Sequence, residues 1–265
     1  MIARVEGMPI HAFRFGPIDR TRPAFFVLGG VHGLERIGAD LAIAYLESII
    51  DRDLTERVIV VPMLNPVGVA RATRANGNGV DLMRNAPPSP FGGTPILGGQ
   101  QLSRHLPYFM GTSLQAEAKA LIDLVEHELF ETPYAIALDL HSGYGFIDRI
   151  WYPYARSCEP FPDLAAIDAL RPHLAAYTVE QTAQAYTIRG DLWDYLYDRR
   201  RAHGPGRLIP LTLEMGSWRW VRERPLQGLT ALGRFNPLDP QRHREVIAQH
   251  LPMIDALRAH ATNRS

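Results

Sequence analysis

The 265-residue sequence predicts an open α/β domain, a sheet with helices on its faces. Two patterns carry that expectation: short apolar runs rich in β-branched or aromatic residues, and between them segments whose apolar residues recur at helical spacing. Neither an internal repeat nor a clear linker divides the sequence, so residues 1–265 read as a single domain.

The first run, Ala24 to Leu28, ends at the glycine pair Gly29-Gly30 and reads as a buried strand. Ile37 to Ile50 follows as a crossover helix, with Ile37, Leu41, Tyr45 and Ile49 on one stripe. Arg57 to Met63 is the second strand. Ala75 to Gly79 (Ala-Asn-Gly-Asn-Gly) is turn chemistry, and Ala86 to Pro107, loaded with proline, glycine and serine, reads as a long loop. A second helix is expected from Leu114 to Phe130, with Ser113 as N-cap and Ala118, Leu121, Val125 and Leu129 facing inward. Tyr134 to Leu140 and Leu208 to Met215 complete four strands. A third helix should start at Asp239-Pro240, a capping residue followed by proline at the first helical position. Pro252 should kink or split it, ahead of a polar tail.

Composition narrows the function classes. Hydrophobic residues make up 46% and charged residues 21%, ordinary values for a globular protein with a sizeable core. Formal net charge is zero without a Lys/Arg-rich block, which disfavours nucleic acid and leaves small molecules or peptides as partners. A single cysteine, Cys158, excludes an intrachain disulfide framework and a cysteine-rich zinc site, so a metal must be held by His, Asp or Glu. No N-terminal export pattern and no apolar run near the roughly 18 residues of a membrane span are present, so a cytoplasmic protein is expected.

Chemistry collects where the strands end. After the first strand come His32 and Glu35, an imidazole and a carboxylate able to point at one ion, and zinc accepts nitrogen and oxygen ligands. A His-x-x-Glu pair alone is a weak signal, since acids favour helix N-termini for dipole reasons. Its company strengthens it. The second strand delivers Asn65-Pro66, the third Asp139-Leu140-His141-Ser142-Gly143, and the fourth carries Glu214. Ligands of open α/β sheets bind beyond the carboxyl ends of the strands, so these residues should converge on one crevice. His32, Glu35 and His141 then form a three-ligand set with a position open for water, and Glu214 is left as a candidate general base. The plainer alternatives are a core histidine at 141 and a paired or protonated carboxylate at 214, because an unpaired buried one costs several kcal/mol. Asp139 either caps the strand or lies opposite Leu138 and Leu140, and it is assigned no direct ligand role.

Taken together, His32-Gly33-Leu34-Glu35, Asn65-Pro66-Val67-Gly68, Thr73-Arg74 with Asn76, Gly79-Val80-Asp81-Leu82-Met83-Arg84-Asn85, Leu140-His141-Ser142 and Glu214 resemble, in order and approximate spacing, the M14-type zinc carboxypeptidases, a family related to succinylglutamate desuccinylase and aspartoacylase. The resemblance runs from about residue 24 to 216. It implies a mixed, mostly parallel twisted sheet and one zinc ion held by His32, Glu35 and His141. It implies Glu214 as the base for a metal-activated water, Arg74 as a stabiliser of the tetrahedral oxyanion, and Arg84 as the grip on a substrate carboxylate. Asp81 would orient the first histidine, and Tyr186 falls in a segment like the one carrying a substrate-capping tyrosine. One departure stands out: Met83 occupies a position that is usually asparagine before the arginine, and Asn85, one place later, is the candidate substitute.

The resemblance implies hydrolysis of a peptide or amide bond beside a substrate carboxylate. The competing enzyme class is an N-acyl amino acid deacylase of the aspartoacylase and succinylglutamate desuccinylase type, which generally carries an extra β-rich C-terminal domain. Here about fifty residues follow Glu214 and read mainly as loop and helix. An inactive zinc-binding scaffold, or a nucleotide-binding module cradling phosphate at Gly29 to Gly33, is a more distant alternative. The glycine loop lacks both the Gly-Lys-Ser/Thr ending and the dinucleotide spacing, and neither explains His141 or Glu214.

Overall fold

The computed structural model describes residues 1–87 and 108–262, so the expected loop at 86–107 falls almost entirely outside the described residues. The chain opens with a small antiparallel pair, β1 (Ala3–Val5) and β2 (Met8–Ile10). It continues through β3 (Phe13–Phe15), β4 (Ala24–Leu28), α1 (Arg36–Ile49), β5 (Arg57–Val61) and α2 (Pro66–Arg71). There follow α3 (Ala116–Leu129), β6 (Tyr134–Ser142), β7 (Arg149–Tyr152), α4 (Leu164–Leu170), β8 (Thr178–Gln181), α5 (Thr182–Ala185) and α6 (Leu192–His203). The chain then runs through β9 (Arg207–Met215), α7 (Trp218–Glu223), α8 (Ala231–Phe235) and α9 (Pro240–Thr262).

Seven strands form one mixed sheet in the order β3-β5-β4-β6-β9-β7-β8. The centre, β5-β4-β6-β9, is parallel, while β3 and β7 join β5 and β9 antiparallel. Every residue of β4, β5 and β6 is buried, as expected for strands covered on both faces. Alternation divides their side chains. Phe25, Val27, Leu138, Leu140, Leu211 and Leu213 pack with α1 and α9, whereas Phe26, Leu28, Ala135, Ala137 and Leu208 pack with α3 and α6. The predicted α1 stripe, Ile37, Leu41, Tyr45 and Ile49, has zero exposure. Each such side chain contributes about 1.5–3 kcal/mol by leaving water.

Two features of the helices differ from the sequence reading. The second helix begins at Ala116, with Gln115 rather than Ser113 at the cap position, although its expected inward residues are all buried. The Ser113 carbonyl instead accepts from the Asn85 and Gln115 side chains. Pro252 does not split the last helix, which runs through it to Thr262. Pro252 and Ala248, whose carbonyl the proline leaves without its helical N–H, are both on the exposed side, while Val246, His250, Met253 and Ile254 hold the other side in the core. The expected Asp239 cap is present, its Oδ1 accepting from Gln241 N and Arg242 N. No helix among the described residues is long and apolar enough to cross a membrane.

Strand direction brings the motifs to one edge. Beyond β4 the chain turns through His32 to Glu35, and this turn is held on three sides. Asn65 caps α2 by accepting from Gly68 N at 2.8 Å and donates to Val31 O at 3.2 Å. Asn236 donates to Leu34 O at 2.7 Å and accepts from Ile37 N at 2.9 Å. Gly33 lies so close to α2 that a Cβ there would stand 1.9 Å from the Gly68 carbonyl carbon. The clearance that Gly33 supplies is therefore for a neighbouring helix. Gly33→Ala should lower stability by about 1–3 kcal/mol through overpacking. Gly204→Ala, with open space at its Cβ, should change it little, and urea denaturation midpoints of the two variants check both.

Candidate metal centre and active site

In the parallel ladder His141 pairs directly with Glu214, and Asp139 with Thr212. Period-two alternation sends all four side chains to the face covered by α6, where they meet the turn after β4. His32, Glu35 and His141 come together there, buried, with one ligand atom from each within 4.8 Å of the others. His32 Nδ1 lies 2.9 Å from Glu35 Oε1, His141 Nδ1 lies 3.0 Å from Glu35 Oε2, and the two Nδ1 atoms are 3.1 Å apart. Ligand atoms around one tetrahedral zinc stand about 3.3 Å apart, given bonds of about 2.0–2.2 Å, so the group fits the ion with small outward shifts.

The outward nitrogens are also occupied. His32 Nε2 is 3.0 Å from Asp81 Oδ1, and His141 Nε2 is 2.9 Å from Asp139 Oδ2. The Asp81 carboxylate on His32 Nε2 keeps the proton there and turns the Nδ1 lone pair inward, the second contact that metal-binding histidines use, and Asp139 stands as a charge beside the outer nitrogen of His141. Asp139, given no ligand role from sequence, thus takes a positioning place, fixed in turn by the Trp193 indole N–H at 2.9 Å. Its signal was available: two residues before His141 on a strand is the same face. Trp193 and Asn236 had none, since their partners are distant in sequence.

Asp81 gathers the cations. Beside His32 it accepts from Arg74 Nε at 3.0 Å and Arg84 Nη1 at 2.8 Å. Burial alone would raise its carboxyl, but Arg74, Arg84 and His32 together hold it well below the usual carboxylate range. Arg74 also donates to Glu35 Oε1 at 3.0 Å. The Tyr108 ring lies against both guanidinium groups, 5.0 Å from Arg74 and 4.5 Å from Arg84.

These groups line a cavity of about 350 Å³. His32, Glu35, His141, Arg74, Arg84, Glu214 and Tyr186 all border it, and so does Met83. Tyr186 stands in an aromatic wall, 5.5 Å from Trp151 and 6.0 Å from Tyr144. Asn85 does not border it. Its side chain donates to Met110 O and Ser113 O and accepts from Gln115 N at 2.7 Å, anchoring the start of α3, so it does not replace the donor missing at Met83. Asp81 stands behind the cavity wall, where it meets the arginines and His32.

Glu214 differs from the other buried acids. Its one hydrogen bond among the described residues is from Tyr144 N to Oε1 at 3.0 Å. Burial, and then the charge of Glu35, push its carboxyl up to about 8. The glycine loop offers no open phosphate cradle: Gly29 N donates to Val61 O, the Gly29 and Gly30 carbonyls accept from Leu64 N and Asn65 N, and Gly33 packs on Gly68.

Known proteins resemble this chain in sequence and fold. The sequence profile of the zinc carboxypeptidase family, peptidase M14, matches residues 4–219. Carboxypeptidase SOL1 of Arabidopsis thaliana is 27% identical over 267 aligned positions, covering 89% of this chain and 49% of its own length. The chain thus spans about half the length of that curated relative. Among solved structures, bovine thrombin-activatable fibrinolysis inhibitor in complex with tick carboxypeptidase inhibitor superposes with a TM-score of 0.74 at 17% identity, covering 100% of this chain and 90% of the other. A succinylglutamate desuccinylase from a Silicibacter species gives 0.53 at 17% identity, covering 94% and 60%.

Two outcomes follow from the site. Asp139→Asn keeps an acceptor for Trp193 but weakens the hold on His141, and should cost about 10- to 100-fold in zinc affinity by chelator competition. In metal-free protein, Glu214 binds its proton more tightly folded than unfolded, so stability should fall as pH rises from about 4.5 to about 8. Metal-free Glu214→Gln should therefore be more stable than the parent at pH 8 and equal to it at pH 4, by urea denaturation at both pH values.

Proposed function

Because the chain belongs to the zinc carboxypeptidase family, we propose that it is a zinc-dependent hydrolase that cleaves a peptide or amide bond beside a substrate carboxylate. The observation that carries this reading is the meeting, in one cavity, of the His32, Glu35 and His141 group with an uncompensated Glu214 and two arginines.

Zinc held by His32, Glu35 and His141 would supply Lewis acidity and bring the pKa of a water molecule to about 7. The residues do the rest. Glu214, which faces the cavity and has one hydrogen bond among the described residues, takes the proton of the attacking water and returns it to the leaving amine. Arg74 borders the metal group through Glu35 and faces the cavity, where its guanidinium stabilises the oxyanion that forms as water adds. Arg84, with one nitrogen fixed on Asp81, presents the remainder of its fork to a carboxylate. Tyr186 and Tyr144 close one side of the cavity against water.

N-acyl amino acid deacylation is the second reading, and one observation favours it. With Met83 in the cavity wall and Asn85 turned to α3, the carboxylate end offers fewer donors than strict recognition of a free C-terminus uses. A panel of blocked dipeptides, murein-type peptides and N-acyl amino acids with zinc-loaded protein separates the two. Turnover of the dipeptides is expected, and Glu214→Gln should keep stoichiometric zinc while losing about 10²- to 10⁴-fold in kcat. Turnover confined to N-acyl amino acids would select the deacylase, and a zinc-loaded protein inert on every class would overturn both readings.

A further inference from the structure

Arg84 is a buried cation that the other charged groups hold at a single point. It is 2% exposed, and its one hydrogen bond among the described residues runs from Nη1 to Asp81 Oδ2 at 2.8 Å. Its Nε is buried without an acceptor. Asp81 also divides its charge, since Arg74 Nε donates to the same oxygen at 3.0 Å and His32 Nε2 stands 3.0 Å from the other. A guanidinium removed from water and so sparsely bonded is unfavourable unless something else meets its charge. Arg74 is better held, with a second bond to Glu35 Oε1 at 3.0 Å.

The ring of Tyr108 meets that need. Its centroid is 4.5 Å from the Arg84 guanidinium carbon and 5.0 Å from that of Arg74, and it borders the cavity with both. The face of an aromatic ring attracts a cation within about 6 Å of its centroid. A carboxylate or carbonyl in that place would take up N–H groups, whereas a ring against the guanidinium face leaves the donors in the plane to a ligand. The backbone is strained to put the ring there: Tyr108 has φ +67°, a left-handed conformation unfavourable for a bulky side chain. The residues after it are fastened to the segment carrying Asp81 and Arg84. Asp81 N donates to Phe109 O at 2.8 Å, and Asn85 Nδ2 donates to Met110 O at 2.7 Å. Gly111, at φ +78°, lies against the same segment, where a Cβ would stand 3.1 Å from Asn85 Nδ2.

We infer, resting on the hydrolytic reading above, that Tyr108 is a positioning residue for the substrate carboxylate: its ring fixes the Arg84 guanidinium from the face and leaves the N–H edge free, at the end of the cavity where Met83 gives no donor. Asn85 then serves the same end at one remove, by holding the stretch on which Tyr108 stands.

The test measures acid against amide. Zinc-loaded Glu214→Gln protein is titrated by calorimetry with benzoyl-Gly-Leu and with its C-terminal amide, a pair that differs in the charge offered to Arg84. The acid should bind at least about tenfold tighter, and adding Tyr108→Leu should lower that ratio at least about fivefold. Tyr108→Phe keeps the ring and should keep the ratio within about twofold. With Arg84→Ala in place, Tyr108→Leu should change the ratio less than about twofold, because its effect is exerted through the arginine. In turnover by protein with Glu214 intact, Tyr108→Leu should raise KM for benzoyl-Gly-Leu and leave kcat within about twofold, since Arg74 keeps both its carboxylate partners. A ratio unchanged by Tyr108→Leu, a loss as large in Tyr108→Phe, an equal loss in the Arg84→Ala background, or a fall in kcat with KM unchanged overturns the inference. Equal binding of acid and amide before Tyr108 is changed, or no binding of the acid at millimolar concentration, overturns it as well. A ratio that depends on both Tyr108 and Arg84 supports it even where Glu214-intact protein does not hydrolyse the dipeptide, an outcome that overturns the hydrolytic reading instead.

Discussion

The parallel register of β6 against β9 is the constraint on which the site depends. It sets His141 opposite Glu214 and Asp139 opposite Thr212, so the candidate ligand, the candidate base and the acid beside that ligand share one face. A slip of one residue in either strand would send that strand's polar side chains into the core packed by α1 and α9. The register resists such a slip because Leu138, Leu140, Leu211 and Leu213 fill that core, while the smaller Ala135 and Ala137 meet α3 and α6 on the other side. The burial that stabilises the sheet is thus what aims the chemistry.

A second dependence runs through Asp81. One buried carboxylate receives His32, Arg74 and Arg84, so the orientation of a candidate metal ligand and the placement of both arginines share a single anchor. Groups joined in this way do not act independently, and loss of any member disturbs the others through the common acid. The turn that carries His32 and Glu35 is secured separately, by Asn65 from α2 and Asn236 from the segment before α9. The candidate metal end is therefore fixed from three directions by the protein itself.

How much of this the sequence discloses depends on how far apart the partners lie. The four central strands were legible because burial on both faces leaves nearly continuous apolar runs, and α1 because its stripe is uninterrupted. The convergence of His32, Glu35, His141 and Glu214 was legible because parallel strands deliver their carboxyl ends to one edge. Antiparallel β3, β7 and the short β8 were not, being short and partly exposed segments without a sustained pattern. The direction taken by Asn85 was not legible either, because proximity to Arg84 in sequence says nothing of it: the side chain binds Gln115 N and the Met110 carbonyl.

Asp81 and Glu214 are both buried carboxylates in one site, and their surroundings drive them in opposite directions. Asp81 is crowded by two guanidinium groups and an imidazole, which outweigh burial and keep it ionised, so it is an anchor with no tendency to accept a proton. Among the described residues Glu214 has a single backbone N–H, and burial with the Glu35 charge pushes its carboxyl up to about 8. Environments that separate two carboxyl groups in this way suit them to different work, one electrostatic and one in proton transfer. The sparse partnering of Glu214 is thus a condition of the role proposed for it. An arginine at hydrogen-bond distance would settle the buried charge and lower the basicity that proton transfer at neutral pH requires.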